Sequence, residues 1–222
     1  MNIVFDLDGT LIDSARDIQA VSDVILGRLG KPGLTLDEVR AFVGEGAQVL
    51  VSRMMAARGI EETPETHARI YGEFVAQYEF AVDKAVFYPG VVDALALLKT
   101  QGHRLGLCTN KPELPARSVM RHMRLAQVFD GFIAGGMIDS RKPAPDMLFR
   151  VIDDMGGGPT LYVGDSEIDA ETAQNAQIPF ALYTEGYRKT PVERMRNDWA
   201  FDHFDRLPGI VDEARMRATA AE

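Results

Sequence analysis

The 222-residue chain is 46% hydrophobic and 26% charged, with a formal net charge of −9. That composition can bury a sizeable core, and its acidic balance excludes a general nucleic-acid surface, which needs a basic face. The single cysteine, Cys108, excludes a disulfide framework and a cysteine-based zinc site; it fits a reducing compartment, so a cytoplasmic location is expected.

No basic segment leading into an apolar run opens the chain, so no signal peptide is expected. No stretch approaches the ~18 apolar residues of a membrane span, so no membrane partner is expected. His67, His103, His122 and His203 are scattered without ligand spacing and read as surface or packing residues.

Ile3-Val4-Phe5 reads as a short strand buried on both faces, as in a parallel sheet. It delivers Asp6-x-Asp8-Gly9-Thr10 to its C-terminal end. Paired carboxylates there are costly to desolvate without a compensating charge, and a divalent cation is the obvious candidate. A calcium loop also opens with this pattern, but it needs an acid or amide at its fifth position, Gly at its sixth and Glu at its twelfth. Thr10, Leu11 and Asp17 stand there instead.

From 15 to 86 the pattern is helical. Ile18, Val21, Ile25 and Leu29 fall at helical spacing before Gly30 and Pro32 stop the helix. Thr35 with Glu38 forms a capping-box signature for a short helix through Phe42. Gly44-Glu45-Gly46 interrupts, and Val49, Leu50 and Met54 carry the next apolar face. Thr63 and Pro64 start a helix with Ile70, Phe74 and Tyr78 on one side. With no strand signal, 15–86 reads as a small all-α domain inserted after the first strand.

Past Pro89-Gly90, helix and strand alternate. Helix 91–99 precedes strand 104–108, which delivers Thr109-Asn110-Lys111-Pro112; helix 115–123 precedes strand 131–135, with Lys142-Pro143 beyond it. Helix 145–155 ends in Gly156-Gly157-Gly158, a connector rather than a phosphate loop, since only a strand follows. Strand 160–164 delivers Asp165 and Asp169; helix 170–176, strand 180–184, a short strand near 200–204 and helix 208–218 complete the pattern. The expected class is α/β: a Rossmann-like, mainly parallel sheet with helices on both faces, formed by 1–14 and 87–222, plus the all-α insert. Ligands of such sheets bind outside the carboxyl ends of the strands. Asp6/Asp8, Thr109/Asn110, Lys142 and Asp165/Asp169 all follow strands, so four clusters converge on one edge.

In this order Asp6-x-Asp8-Gly-Thr, Thr109-Asn110, Lys142-Pro and Gly164-Asp165-x-x-x-Asp169 resemble the four motifs of the haloacid dehalogenase superfamily, and the insert resembles its cap. Val43-Gly44-Glu45-Gly46-Ala47, Cys108-Thr-Asn-Lys-Pro112 and Gly186-Tyr187 are most similar to the phosphoglycolate phosphatases within it. One departure is Gly135-Gly136-Met137, where an acidic residue often follows the paired glycines.

The resemblance implies a Mg²⁺-dependent phosphatase acting on a small anionic phosphate ester, most of all 2-phosphoglycolate. Uncatalysed monoester hydrolysis is so slow that enzymes supply up to ~10²¹-fold acceleration, and a carboxylate nucleophile divides the barrier in two. Asp6 is the expected nucleophile and Asp8 the general acid/base. Asp6 and Asp165 are expected as side-chain metal ligands, Asp8 through its backbone carbonyl, and Asp169 through water or by orienting its neighbours. Lys142 is expected to neutralise the phosphoryl group, with Thr109 and Asn110 hydrogen-bonding its oxygens.

The insert has a mechanical purpose in this scheme, since a closing lid excludes bulk water. Residues 11–14 and 84–90 are the expected hinges. Gly44, Glu45 and Gly46 are expected over the site, where backbone N–H groups can approach a substrate carboxylate; a plain turn is the competing reading. Arg53 and Arg58 read as solvated. Dehalogenases and phosphonoacetaldehyde hydrolases of the superfamily lack the second carboxylate, which Asp8 supplies here. Sugar-phosphate mutases and pyrophosphatases keep all four motifs and stay open as alternatives, as does a non-catalytic binding module. The oligomeric state is left open.

Overall fold

A computed structural model describes residues 1–220 of the chain. Its centre is β1 (Asn2–Phe5), in which every residue is buried. The chain passes through a two-residue strand, β2 (Ile12–Asp13), into α1 (Ala15–Arg28), α2 (Leu36–Phe42), α3 (Ala47–Ala57) and α4 (Pro64–Tyr78). It returns through β3 (Val86–Phe87), which pairs antiparallel with β2, Ile12 opposite Phe87 and Asp13 opposite Val86. There follow α5 (Val91–Thr100), β4 (Arg104–Pro112), α6 (Glu113–His122), β5 (Gly131–Gly135), α7 (Asp146–Asp154), β6 (Thr160–Gly164), α8 (Glu167–Ala176), β7 (Phe180–Tyr183), β8 (Trp199–Phe201) and α9 (Leu207–Ala220).

The six-stranded sheet has the order β5-β4-β1-β6-β7-β8, with every pairing parallel. The α/β class expected from the sequence is therefore the observed one. The order runs outward in both directions from β1, so the chain's direction of winding reverses there. Crevices open at such a reversal, beyond the carboxyl ends of the strands. Alternation along β1 sends Ile3 and Phe5 into one core with Leu105, Leu107, Leu161 and Val163. Val4 points the other way, into a core with Cys108, Leu148, Val151 and Tyr162.

The four helices α1–α4 enclose an apolar cluster of their own, to which Ile18, Val21, Ile25, Leu50, Met54, Ile70, Phe74 and Tyr78 contribute. The Thr35–Glu38 capping box is complete, and Thr63 accepts from the Thr66 N–H with Pro64 in the first turn. Several boundaries differ from the sequence reading. Leu29 lies beyond α1 as its C-cap. On α3, Val51 and Met55 join Leu50 and Met54 in the buried face, while Val49 is only half-buried. β4 runs on through Pro112, with its register shifting between Thr109 and Pro112. Its polar end is buried at the site, so the chain stays extended where composition reads as loop. α8 starts at Glu167 because Ser166 caps it, accepting from the Asp169 N–H.

Candidate active site

The Asp6 N–H still donates to Val163 O at 2.9 Å, so the sheet fixes the backbone from which the Asp6 carboxylate projects. Carboxylate oxygens of Asp6, Asp165 and Asp169 lie within 4.8 Å of one another, and all three residues are buried. Asp165 is held on both oxygens, by Thr10 Oγ1 at 2.7 Å and by the Tyr187 N–H at 2.6 Å. Asp169 is more heavily bonded. Its Oδ1 accepts from Lys142 Nζ and from the Tyr162 hydroxyl, each at 2.7 Å. Its Oδ2 accepts from the Asp165 N–H, the Ser166 N–H and Ser166 Oγ at 3.2, 3.1 and 2.6 Å. Asp169 thus orients its neighbours.

Asp6 is the exception. Lys142 Nζ lies 2.8 Å from Asp6 Oδ1, an ion-pair distance, yet the angle is not that of a hydrogen bond and the oxygen has no aligned donor. Burial pushes the Asp6 carboxyl up to about 7, with Asp169 adding to the rise and Lys142 opposing it. Burial, then Asp169 and Asp6, raise Asp165 as well. Burial works against ionised Asp169 too, but Lys142, Ser166 and Tyr162 outweigh it and hold that carboxyl low. Burial would pull the Lys142 ammonium down, and Asp169 and Asp6 override it. Three buried carboxylates against one ammonium leave the site short of positive charge. A hard cation among the clustered carboxylates of Asp6, Asp165 and Asp169 fits that deficit.

Asp8 turns away from this cluster. Its Oδ1 accepts from Ser14 Oγ at 2.6 Å and Lys111 Nζ at 3.0 Å, and its Oδ2 lies 3.3 Å from the same ammonium. Its side chain is no part of the acidic triad. The Asn110 amide is committed to the backbone: Nδ2 donates to Lys142 O and Gly44 O, both at 3.0 Å, and Oδ1 accepts from the Lys142 N–H at 3.0 Å. It anchors the Lys142 loop and fastens the turn between α2 and α3 to the sheet. In that turn Gly44 and Gly46 have φ of +121° and +91°, and a Cβ on Gly46 would lie 3.2 Å from Asn110 O. Glycine is required there for backbone reasons.

Between sheet and helices lies a cavity of about 30 Å³. Asp6, Asp8, Thr109, Asn110, Lys111 and Pro112 line one side; Ile18, Val43, Leu50, Phe74 and Tyr78 line the other, with Gly44, Gly46 and Ala47 from the turn. The sequence reading placed Glu45 here, but its carboxylate turns aside to pair with Arg53. Arg58 is not solvated as expected; it clasps Glu38 and the Pro32 and Gly33 carbonyls. Sequence reasoning missed Lys111, Tyr162 and Tyr187. Lys111 is one residue of Cys108-Thr-Asn-Lys-Pro112 with nothing local to mark its partner, and Tyr162 has the pattern of an ordinary core residue of a strand.

A parallel sheet with a carboxylate at its switch point, a buried lysine and an acidic triad defines a hydrolase of one class. The chain belongs to the haloacid dehalogenase-like hydrolases, whose family model matches residues 3–183. Within that class it is similar to phosphoglycolate phosphatases. It is 43% identical over 210 residues to a phosphoglycolate phosphatase of Rhodobacter capsulatus, covering 95% of this chain and 96% of the relative. A crystal structure described as a predicted phosphoglycolate phosphatase from Haemophilus somnus superposes with a TM-score of 0.88 at 28% identity, covering 94% of this chain and 96% of that one. CbbY from Rhodobacter sphaeroides, solved in complex with phosphate, superposes with a TM-score of 0.80 over 93% of this chain and 95% of its own, and at 21% identity that likeness speaks to the fold alone.

Proposed function

We propose that the chain is a Mg²⁺-dependent phosphatase that hydrolyses 2-phosphoglycolate to glycolate and phosphate through an aspartyl-phosphate on Asp6. The observation that carries this reading is Asp6 itself: a buried carboxylate at the switch point, with one oxygen lacking an aligned donor and Lys142 Nζ 2.8 Å away. A carboxylate oxygen of Asp6 attacks phosphorus, and the bond from phosphorus to the ester oxygen breaks. The leaving alkoxide takes a proton from Asp8. In the second half Asp8 takes a proton from water, whose oxygen attacks the same phosphorus and restores the Asp6 carboxylate. Lys142, shared between Asp6 and Asp169, offsets charge on the transferred group. In this reading Thr109 and the backbone of Asn110, which line the same cavity as Asp6, hydrogen-bond the remaining phosphoryl oxygens.

Mg²⁺, when held by Asp6, Asp165 and the Asp8 carbonyl, would supply the charge neutralisation that two anions meeting in one pocket require. Asp169 keeps Lys142 and the Asp165 backbone in place. Few carboxylates, with waters and substrate oxygens completing the shell, suit Mg²⁺ better than Ca²⁺. The buried thiol of Cys108 is consistent with work in the cytoplasm. Among the described residues no helix is long and apolar enough to cross a membrane.

Phosphate release with Mg²⁺ on 2-phosphoglycolate, β-glucose 1-phosphate, pyrophosphate and p-nitrophenyl phosphate tests the reading. A strong preference for 2-phosphoglycolate, abolished by EDTA, is expected. Flat, slow release across the panel would retain the phosphatase and remove the substrate; none at all, with or without EDTA, would remove both.

A further inference from the structure

The ammonium of Lys111 is buried between two bodies of the protein, its side chain only 2% exposed. On the sheet side it meets both oxygens of Asp8, at 3.0 and 3.3 Å. On the helical side it contacts the Tyr78 hydroxyl and lies 3.9 Å from the centre of the Tyr78 ring. Tyr78 is the last residue of α4, just before the return crossing, and packs on Phe74 in the apolar cluster of α1–α4. Apart from Lys111, the side-chain partner of Asp8 is Ser14 Oγ at 2.6 Å, at the outward crossing.

We propose that Lys111 is a positioning residue for Asp8, aiming its carboxylate only while Tyr78 holds the lysine from the closed helical side. This inference rests on the reading of Asp8 as the proton-transfer group. A carboxylate moves a proton efficiently only within hydrogen-bond reach and in line with the reacting oxygen, so misalignment of about 1 Å is expensive. With Ser14 alone, Asp8 can swing about its hinge-side partner. With Lys111 braced by Tyr78, it cannot. The lysine thereby makes the aim of Asp8 conditional on α4 being seated. It is not read as a substrate receptor, because Asp8 and Tyr78 already occupy its ammonium.

The test compares two leaving groups in Lys111→Met, Tyr78→Phe and Asp8→Asn, with urea unfolding to confirm that each variant folds. p-Nitrophenolate departs without a proton, whereas the alkoxide of 2-phosphoglycolate needs one. Lys111→Met is expected to lose at least about tenfold in kcat on 2-phosphoglycolate. On p-nitrophenyl phosphate it should keep a fast first-turnover burst of nitrophenolate, with slow turnover after it. Tyr78→Phe should show the same pattern, more weakly, and the double variant should lose less than the sum of the two. Equal losses on both substrates, burst included, or a change confined to KM, would overturn the positioning role. Asp8→Asn reports on the underlying reading separately: if it too fails to discriminate between the leaving groups, the fault lies with Asp8 as acid/base and not with Lys111.

Discussion

Tyr187 links Asp165 to Asp13. Its backbone N–H donates to Asp165 Oδ2 at 2.6 Å, and its hydroxyl donates to Asp13 Oδ1 at 2.7 Å. The same hydroxyl accepts from the Ser14 and Ala15 N–H groups, at 2.9 and 3.1 Å, where the chain turns into α1. One residue thus bonds the acidic triad through its main chain and the outward crossing through its side chain. Tyr187→Phe removes only the second set, leaving the buried Ser14 N–H short of a partner while the Ala15 N–H keeps Asp13 Oδ1 at 3.0 Å. Stability should fall by about 1–3 kcal/mol in urea unfolding. The Mg²⁺ midpoint for activity should stay within a few-fold of wild type, because the bond to Asp165 is made by the backbone.

Gly186, the neighbour of Tyr187, is the sharper probe of the triad. A Cβ there would lie 2.3 Å from both Asp165 Oδ2 and Gly9 O, closer than any real contact. Gly186→Ala should displace Asp165 and weaken Mg²⁺ binding at least about tenfold, as seen for changes beside metal ligands. Titration calorimetry with Mg²⁺ checks it. An unchanged affinity would mean that Asp165 does not hold the ion.

Asp6→Asn should bind substrate but lose turnover by at least about 10⁴-fold, as removal of a nucleophile does. Binding by equilibrium titration and single-turnover phosphate release together check the outcome. Near-normal turnover would remove Asp6 from the mechanism.

The acid shifts predict a pH dependence for the metal-free protein. Burial raises the Asp6 carboxyl to about 7, so the folded state holds a proton that the unfolded chain releases near its ordinary value of 3.8. Stability from this group is present below the lower value and is lost as pH rises through about 7. Urea unfolding in EDTA should therefore show a decline from pH 5 to pH 8 that is reduced in Asp6→Asn. Added Mg²⁺ competes with that proton, so its stabilising effect should be larger at pH 8 than at pH 6. The opposite trend would contradict the charge deficit argued for the triad.

Lys142 is the only ammonium contacting Asp6 and Asp169 among the described residues. Lys142→Met leaves those carboxylates without it and should cost about 3–5 kcal/mol in the metal-free protein. A loss below 1 kcal/mol would mean that protonation of the carboxyls offsets the missing charge.

That Asp6 and Asp165 directly follow strands, and that Thr109 and Lys142 reach the same edge of the sheet, was legible because each comes after an apolar run within a helix-strand alternation of ordinary length. The helices of 15–86 were legible through their caps and spacing. What escaped lay below the resolution of pattern. β2 and β3 have two residues each, too few for a period. Nothing local marks Lys111 as buried, because its burial depends on Asp8, 103 positions away in sequence yet adjacent in space. Glu45 went astray for a related reason: its backbone is at the turn, but nothing local says that Arg53, one helix further on, claims its side chain. Main-chain placement follows from local sequence, whereas the direction of a charged side chain is decided by distant partners.

The pairing of Ile12 with Phe87 and Asp13 with Val86 has a consequence for how the chain assembles. Leaving and returning side by side, residues 14–85 make a closed excursion whose ends meet without help from the rest of the sheet. β1 must find β4 roughly a hundred positions later, a slow search if the intervening segment is loose. Once α1–α4 have collapsed on their own cluster, the effective separation shrinks to a short tether. Early helical collapse would then shorten the search for the central pairing, and weakening the ribbon should slow refolding more than it accelerates unfolding.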